Sequence, residues 1–414
     1  MPSNPEAASA KKYFSPIYLA VLVAALGYFV DIYDLLLFSI VRVSSLKSLG
    51  VSEAELLNKG VLLINCQMAG LLIGGVLWGI LGDKKGRLSV LFGSIFLYSI
   101  ANLCNGWVQT VDQYAVLRFI AGIGLAGELG AGITLVSELM PRQTRGYGTT
   151  IVAAFGLLGA VAAALIGDSF EWRVAYFIGG GMGLCLLALR LGLSESRIFS
   201  RMKEKNIQTG NFLGLLKSKN IIKYLSIILI GVPIWFTIGI LITFSPEFGR
   251  AFHMSVIPSA SKAVMFSYLA LSLGDLSSGL ISQWVQSRKK VILGFILLLL
   301  VAIILYFLIA GQSLVIYYSL CGLLGFACGY WALFVTMASE QFGTNIRATV
   351  TTTAPNFVRG SVIPLTLSFQ FLNPLIGLQI SAMVVGGVFL LLALFALSRL
   401  EETFSRDLNF HEEH

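Results

Sequence analysis

The sequence predicts an all-α membrane protein with twelve transmembrane helices, and three observations support this fold class. Apolar runs long enough to cross a bilayer recur along the whole chain. Only 12% of the 414 residues are charged, whereas soluble domains carry about a quarter. Basic residues cluster in short segments between the runs, as in cytoplasmic loops. The predicted spans are 16–44, 57–81, 88–107, 112–139, 146–167, 172–192, 220–249, 260–285, 290–310, 313–340, 346–370 and 373–398.

A basic polar stretch between the sixth and seventh spans divides the chain into two halves. We predict an N-terminal six-helix bundle over 1–193, a cytoplasmic linker over 194–219, and a C-terminal bundle with a short cytoplasmic tail over 220–414. The distribution of Lys and Arg favours a topology with both termini in the cytoplasm.

The two halves also repeat a motif at the inner ends of spans four and ten. Ser-Glu is followed by Arg seven residues after the glutamate in both halves, as Glu138 and Arg145 and as Glu340 and Arg347. Such a parallel repeat is typical of transporters whose substrate site lies between the halves. It predicts two pseudo-symmetric bundles.

Span one carries two carboxylates, Asp31 and Asp34, deep in an apolar run. Together with Phe38 and Arg42 they recur at steps of three and four, so they share one helix face. Ionisable groups at this depth are costly and mark functional sites by default. We interpret Asp31 as a proton-coupling residue and Asp34 as modulating it; the alternative is a structural ion pair.

A charged loop follows span two and has the pattern Gly-x-x-x-Asp-Lys-x-Gly-Arg. It resembles the inner-loop signature of the major facilitator superfamily, from which Leu88 departs at the last position. A second stretch, from Arg118 to Gly124, is similar to the Arg-x-x-x-Gly-x-Gly pattern of proton-coupled members. The residues that fill the loop pattern are Gly79, Asp83, Lys84, Gly86 and Arg87.

Two further stretches are similar to the phosphate, aromatic-acid and related organic-anion proton symporters of that family. They are Asp31-Ile32-Tyr33-Asp34 in span one and the Gly-rich run that ends at Glu128 in span four. The resemblance implies two bundles that rock around a central site. We expect Arg118 to act as counter-ion to the acids of span one, or else to form a fixed pair. Glu128 is either a second protonation site or a hydrogen-bonded packing residue.

Arg359 is the candidate residue for substrate recognition. It falls near the middle of span eleven, where Pro355 and Gly360 loosen the helix. A guanidinium at this depth can bind a carboxylate or phosphate through two hydrogen bonds. The alternative is that it pairs with an acid of the protein such as Asp275 or Glu340.

Other candidates surround this central site or lie at the inner ends of spans. Asn356 and several aromatic residues are expected to line the pocket, although ordinary helix packing explains any one of the aromatic residues as well. The inner-end charges are interpreted as a cytoplasmic gating network, with solvated loop charges as the alternative. The aromatic candidates are Tyr33, Trp235, Tyr330 and Trp331, and the gating candidates are Asp83, Arg87, Glu138, Arg145, Glu340 and Arg347.

Several function classes are disfavoured by the sequence. The three histidines, at 253, 411 and 414, lie outside the spans, and the five cysteines lack metal-binding spacing. No phosphate-binding loop of the Gly-x-x-x-x-Gly-Lys-(Ser/Thr) type occurs. We therefore expect no enzyme, metal or cofactor, and no nucleic acid despite the net charge of +8; the proton is the expected coupling ion.

We read the chain as a secondary transporter that imports a small organic anion with protons by alternating access. It is expected to be a monomer and a multi-pass protein of the lipid bilayer, in the bacterial cytoplasmic (inner) membrane. The first alternative is a proton antiporter that exports a cationic or amphipathic compound, with Asp31 and Asp34 binding it directly. The second is a non-transporting sensor on a transporter scaffold.

Overall fold

The structure, a computed structural model, describes residues 16–85, 87–130, 132, 145–190 and 218–404. These residues are almost entirely helical. The helices are α1 (Pro16–Ser48), α2 (Leu56–Lys85), α3 (Arg87–Asn105), α4 (Val111–Leu125), α5 (Arg145–Ser169), α6 (Trp172–Arg190), α7 (Ser218–Phe236), α8 (Ser245–Ala251), α9 (Ala260–Val285), α10 (Arg288–Ile309), α11 (Leu314–Ala327), α12 (Trp331–Gln341), α13 (Thr344–Gly360), α14 (Val362–Ile376) and α15 (Leu378–Arg399).

The chain is an all-α membrane protein, as the sequence predicts. Within the described ranges, nine helical segments are long and apolar enough to cross a membrane, and they coincide with predicted spans one, two, five to ten and twelve. Of the other three, α3 is a shorter apolar helix, span four is described only in part, and span eleven consists of α13 and α14. The predicted linker falls largely outside the described residues, so the domain boundaries stay predictions.

Three predicted spans are interrupted, and a proline precedes two of the interruptions. In span seven, Pro233 lies inside α7 and a wide helical turn over Thr237–Ile242 leads to α8. Span ten breaks at Cys328–Tyr330, where a turn separates α11 from α12. Span eleven changes from α13 to α14 at Ser361, six residues after Pro355.

The helices pack as two halves with an interface between them. In the first half α1 packs on α5, α2 on α4, and α3 on α6; in the second α9 packs on α11 and α7 on α15. The halves meet chiefly where α2 packs on α13 and where α5 packs on α9. These two contacts are related by the repeat. In each of them, the second span of one half packs on the fifth span of the other half: α2 on α13, and α9 on α5.

Close helix packing depends on small residues at two crossings. At Gly159 on α5, a Cβ atom would overlap the backbone carbonyl of Phe29 on α1. At Gly325 on α11, it would overlap the backbone carbonyl of Ser267 on α9. Glycine therefore permits backbone contact at these crossings, as is common in membrane bundles.

We call the side of the molecule at which α1 ends the outer side, following the topology predicted from the basic residues. On this definition α1 runs from the inner to the outer side, and α2 returns.

Candidate functional site

The centre of the molecule holds an ion pair between the two halves. Arg359 on α13 donates from Nη2 to Oδ2 of Asp31 on α1 over 3.3 Å. Both side chains are buried: 1% of the surface of Arg359 and 0% of that of Asp31 is exposed. The pairing is incomplete: among the described residues, Asp31 Oδ1 and the Nε and Nη1 of Arg359 have no hydrogen-bond partner.

A second acid–arginine pair lies one helical turn further along α1, entirely within the first half. Arg118 on α4 lies 3.5 Å from Asp34, measured from Nη1 to Oδ1, and donates from Nη2 to the backbone carbonyl of Asp34 over 3.4 Å. The guanidinium also lies 5.7 Å from the ring centres of both Phe38 and Tyr176. The two residues lie at similar depths, and the long contacts make this a loosely bonded pair.

Helix α1 thus presents one carboxylate to each half of the molecule. Asp31 contacts the second half through Arg359, and Asp34 contacts the first half through Arg118. Because each carboxylate lies beside one guanidinium, the central cluster is close to neutral when all four groups are ionised. Adding a proton to either acid leaves one positive charge without a partner.

Two tyrosines border the central pair on the side of α9. Tyr28 on α1 and Tyr268 on α9 are buried, and both lie within electrostatic range of Asp31 and Arg359. Tyr28 also lies within range of Asp275, which is on the same helix as Tyr268. Sequence reasoning did not select either tyrosine, since isolated aromatic residues in apolar spans give no signal.

Neither of the two acids considered as alternative partners pairs with Arg359. Asp275 accepts a hydrogen bond at Oδ1 from the backbone N–H of Ala332 at the start of α12, over 3.0 Å. Glu340 lies 3.4 Å from Arg288 and accepts from the Thr403 hydroxyl over 2.7 Å. The protein partner of Arg359 is instead the carboxylate of Asp31.

The four aromatic candidates are all buried, and two of their polar groups bond away from the central pair. The Tyr33 hydroxyl donates to the backbone carbonyl of Ala175 over 2.8 Å, and the Tyr330 hydroxyl to that of Ile230 over 2.9 Å. Their rings are thereby held against α6 and α7. Trp235 and Trp331 are 5% and 6% exposed.

Asn356 lies on the face of α13 that meets the first half. Its Nδ2 donates to the backbone carbonyl of Ala126 over 2.9 Å and to that of Thr352 over 3.0 Å. The amide therefore links α13 to the end of α4, one helical turn from Arg359.

Glu128 belongs to a tight buried pair in the first half. Arg190 donates from Nη1 and Nη2 to the two carboxylate oxygens over 2.9 and 2.8 Å. The Ser94 hydroxyl adds a hydrogen bond of 2.9 Å, and Arg190 also donates to the carbonyl of Leu91. This full hydrogen bonding favours the packing interpretation of Glu128 over the protonation one.

Most of the predicted gating network lies outside the part of the chain whose side chains are described. Glu138 is not described at all, and for Asp83, Arg87, Arg145 and Arg347 only the helical backbone is given. Glu340 bonds to Arg288 and Thr403, which belong to its own half. The gating role of these residues stays a prediction.

A charged contact that the sequence analysis missed closes the outer side. Arg42 on α1 donates from Nη2 to both carboxylate oxygens of Glu247 on α8 over 2.7 Å, and its guanidinium stacks 4.7 Å from the Phe244 ring centre. Nearby, the Thr243 hydroxyl donates to that of Ser39 over 3.2 Å. The sequence feature that could have indicated this contact is Glu247, a single carboxylate near the end of an apolar span.

No group of three or more His, Cys, Asp or Glu side chains that could hold a metal ion occurs among the residues the structure describes.

Comparison with known proteins gives consistent matches along the chain. A family model described as the Major Facilitator Superfamily matches residues 17–366. The chain is 27% identical over 345 residues to a putative niacin/nicotinamide transporter of Bacillus subtilis, covering 81% of this chain and 84% of that protein. It is 25% identical over 413 residues to a gentisate transporter of Corynebacterium glutamicum, covering 93% and 88%. An inward-open xylose transporter from E. coli has the same fold, with a TM-score of 0.73 at 18% identity over 95% of this chain and 98% of that one.

Proposed function

The chain belongs to the major facilitator superfamily and is a transporter rather than an enzyme, and we propose that it imports a small organic anion together with a proton. It is a multi-pass integral membrane protein, and the proposed location is the bacterial cytoplasmic membrane. The proposed coupling ion is the proton, and the proposed working unit is the monomer.

The incomplete ion pair between Asp31 and Arg359 carries this proposal. A guanidinium and a carboxylate in a dry site ordinarily form two parallel hydrogen bonds. Here a single contact of 3.3 Å joins them, and two nitrogens of Arg359 are left over within the described residues. Nε and Nη1 each form a two-bond fork with Nη2 and not with each other, so a substrate carboxylate that replaces Asp31 at Nη2 could form two parallel hydrogen bonds with Arg359.

Charge balance then couples the anion to the proton. In the empty carrier, ionised Asp31 neutralises Arg359, so an anion gains little by entering. A proton on Asp31 removes that negative charge and leaves Arg359 uncompensated in a buried site, which favours binding of an anion. The titratable and charged groups within electrostatic range of Asp31 include Arg359, three tyrosines and two acids, namely Tyr28, Tyr98, Tyr268, Asp34 and Glu128. The four charged groups Asp31, Asp34, Arg118 and Arg359 together are close to neutral both in the empty carrier and when the proton and the anion are bound, so both forms can change conformation.

The names of the relatives support the substrate class. The relatives described above are named as transporters of niacin or nicotinamide and of gentisate, and a benzoate transport protein of Acinetobacter baylyi is 28% identical over 146 residues. Niacin, gentisate and benzoate each contain a carboxylate on a ring. The xylose transporter is too distant in sequence to bear on the substrate.

Binding of a cation, as the exporter alternative requires, is disfavoured by the same geometry. Asp31 and Asp34 each lie beside an arginine, so neither offers an unpaired negative charge. A cationic substrate would have to displace Arg359 or Arg118, and it would leave a guanidinium buried without a partner.

The test is transport by the purified protein in sealed vesicles with an inward proton gradient. Radiolabelled benzoate, nicotinate, phosphate and tetraphenylphosphonium would be offered to the wild type, Asp31→Asn and Arg359→Gln. We expect uptake of a carboxylate, driven by the gradient, that Arg359→Gln abolishes and that Asp31→Asn uncouples from the gradient. The exposed Asp112→Asn is the matched control.

Expulsion of the cation, with no effect of Arg359→Gln, would replace this proposal with the exporter. Ligand binding without flux of any compound would support the sensor alternative.

A further inference from the structure

We infer that Asp275 is a specificity-determining residue of the transport site, and that the substrate is an organic acid with an O–H or N–H donor at the end opposite its carboxylate. This inference rests on the proposed function and deepens it. In this arrangement the carboxylate of the substrate binds Arg359, and its donor group binds the free oxygen of Asp275.

Asp275 is buried and only partly hydrogen-bonded. Its side chain lies on α9 with 6% of its surface exposed, facing the first N–H groups of α12. Oδ1 accepts from the N–H of Ala332, but Oδ2 has no hydrogen-bond partner within the described ranges. A buried carboxylate oxygen without a donor costs free energy unless a ligand supplies one.

Asp275 and Arg359 both lie near Tyr28 at the centre of the molecule. Tyr268 precedes it by seven residues and therefore lies on the same face of α9, about 10 Å along the axis. Tyr268 is within electrostatic range of Asp31 and Arg359, and Tyr28 is within range of Arg359, Asp31 and Asp275 together. Tyr28 is thus near both an arginine with unbonded nitrogens and a carboxylate with an unbonded oxygen.

The two unbonded groups have opposite hydrogen-bonding character, and this determines the ligand chemistry. Arg359 can only donate, so it needs an anionic acceptor; an ionised Asp275 can only accept, so it needs a donor. An acid that lacks a donor would leave the Asp275 oxygen buried and unsatisfied. Sites built to bond a hydroxyl or N–H group discriminate strongly against analogues that lack the group.

The experiment measures dissociation constants of matched acids for the purified full chain in detergent. The pairs are benzoate with para-hydroxybenzoate and para-aminobenzoate, and butanoate with gamma-hydroxybutanoate. The proteins are the wild type, Asp275→Asn and Arg359→Gln, with Asp112→Asn as a surface control. Asp275→Asn retains an oxygen for the Ala332 N–H but removes the charge. If Asp275→Asn does not fold, Asp275→Ser replaces it.

We expect the wild type to bind the donor-bearing acid of at least one pair about tenfold more tightly than its parent. Asp275→Asn or Asp275→Ser should reduce this ratio to near one while the parent acid still binds. The inference about Asp275 is overturned if the wild type binds both acids of every pair equally, or if the Asp275 variants keep the wild-type preference. In either case the proposed function still stands if Arg359→Gln loses all binding. If no acid binds, or if Arg359→Gln binds as the wild type does, both fall.

Discussion

Arg42 and Glu247 form a buried ion pair that joins the two halves at the outer side, about 16 Å along α1 from Asp31. Arg42 is fully buried and Glu247 is 8% exposed, so water screens the pair little. The charges of the centre and the contact that closes the outer side therefore lie on one helix, and movement of α1 relative to the second half must change both.

Removing the outer pair should open the outer side. We expect Glu247→Gln to leave Arg42 buried without its partner, which costs about 3–5 kcal/mol in the closed conformation. The probe is Ser39→Cys, labelled from outside with a membrane-impermeant maleimide. Its labelling rate should be higher when Glu247→Gln is also present than when Glu247 is unchanged. The control is Glu55→Gln, because Glu55 is an exposed acid at the same side whose carboxylate accepts a hydrogen bond from the neighbouring Ser52. Equal labelling rates in both backgrounds would show that the pair does not hold the outer side closed.

The two acids of α1 should have separable effects on transport. Asp31→Asn should permit exchange of substrate across the membrane but abolish its accumulation against a gradient, since Asp31, and not Asp34, is paired with an arginine of the second half. Asp34→Asn should slow both processes and leave the dependence on the proton gradient intact. Counterflow and gradient-driven uptake, measured on the same vesicles, distinguish the two. The reverse assignment would follow if Asp34→Asn were the uncoupled variant.

Glu128 and Arg190 should behave as a structural unit. Glu128→Gln should lower the free energy of unfolding by about 3–5 kcal/mol, because Arg190 would stay buried without a counter-charge. The double variant Glu128→Gln with Arg190→Met should recover most of this loss and still accumulate substrate. Thermal unfolding in detergent and gradient-driven uptake provide the two readouts. A stable double variant without proton coupling would restore Glu128 as a second protonation site.

Close packing of α1 on α5 gives a prediction with an internal control. Gly159→Ala should lower stability by about 1–3 kcal/mol, because the added methyl group meets the carbonyl of Phe29. Gly181→Ala on α6 adds the same group where no atom lies within 4 Å. Melting temperatures of the two variants should therefore differ, and equal values would mean that the α1–α5 crossing is more tolerant than its geometry indicates.

The chain after α15 should contribute a pH-dependent term to stability. Partial burial opposes ionisation of Glu402, but hydrogen bonds from Ser287 and from the N–H groups of Arg288, Thr403 and Phe404 outweigh it and hold its pKa below the ordinary value. A depressed pKa stabilises the fold above the unfolded-state pKa of about 4.3, and this stabilisation is lost as the pH falls through the folded-state value. The melting temperature of Glu402→Gln should thus be lower than that of the wild type at neutral pH and equal to it in acid. A constant difference across this range would contradict the assignment.

The sequence was sufficient for the helices and for the central charges, and it failed where a residue's partner depends on tertiary packing. Apolar runs and charges within them are local signals, so α1 and the burial of Asp31 and Arg359 could be predicted. Residues 31 and 359 meet only because α13 packs against the first half, and nothing local to span eleven distinguishes Asp31 from Asp275 as the partner. The same limit hid Arg42 and Glu247.

The interruptions of the helices within predicted spans were equally hard to predict. Pro355 signals a loosened helix in span eleven, but the turn at Cys328–Tyr330 follows no proline and interrupts a run of continuous hydrophobicity. Similarly, Tyr33 and Tyr330 occupy spans that line the cavity in the resembled family, yet their hydroxyls bond to backbone carbonyls elsewhere. Side-chain direction depends on the rotation of each helix, which hydropathy alone does not determine.

The most direct test of the account is the number of protons taken up when an anion binds. The purified protein would be titrated at neutral pH with the acid that stabilises it most, in weak buffer containing a pH indicator. If binding replaces Asp31 by the substrate carboxylate at Arg359, the wild type takes up about one proton for each anion bound. Asp31→Asn, in which the amide cannot titrate, should bind the anion with no proton uptake. Binding to the wild type without proton uptake, or uptake that persists in Asp31→Asn, would contradict the exchange at Arg359 on which the proposed coupling depends.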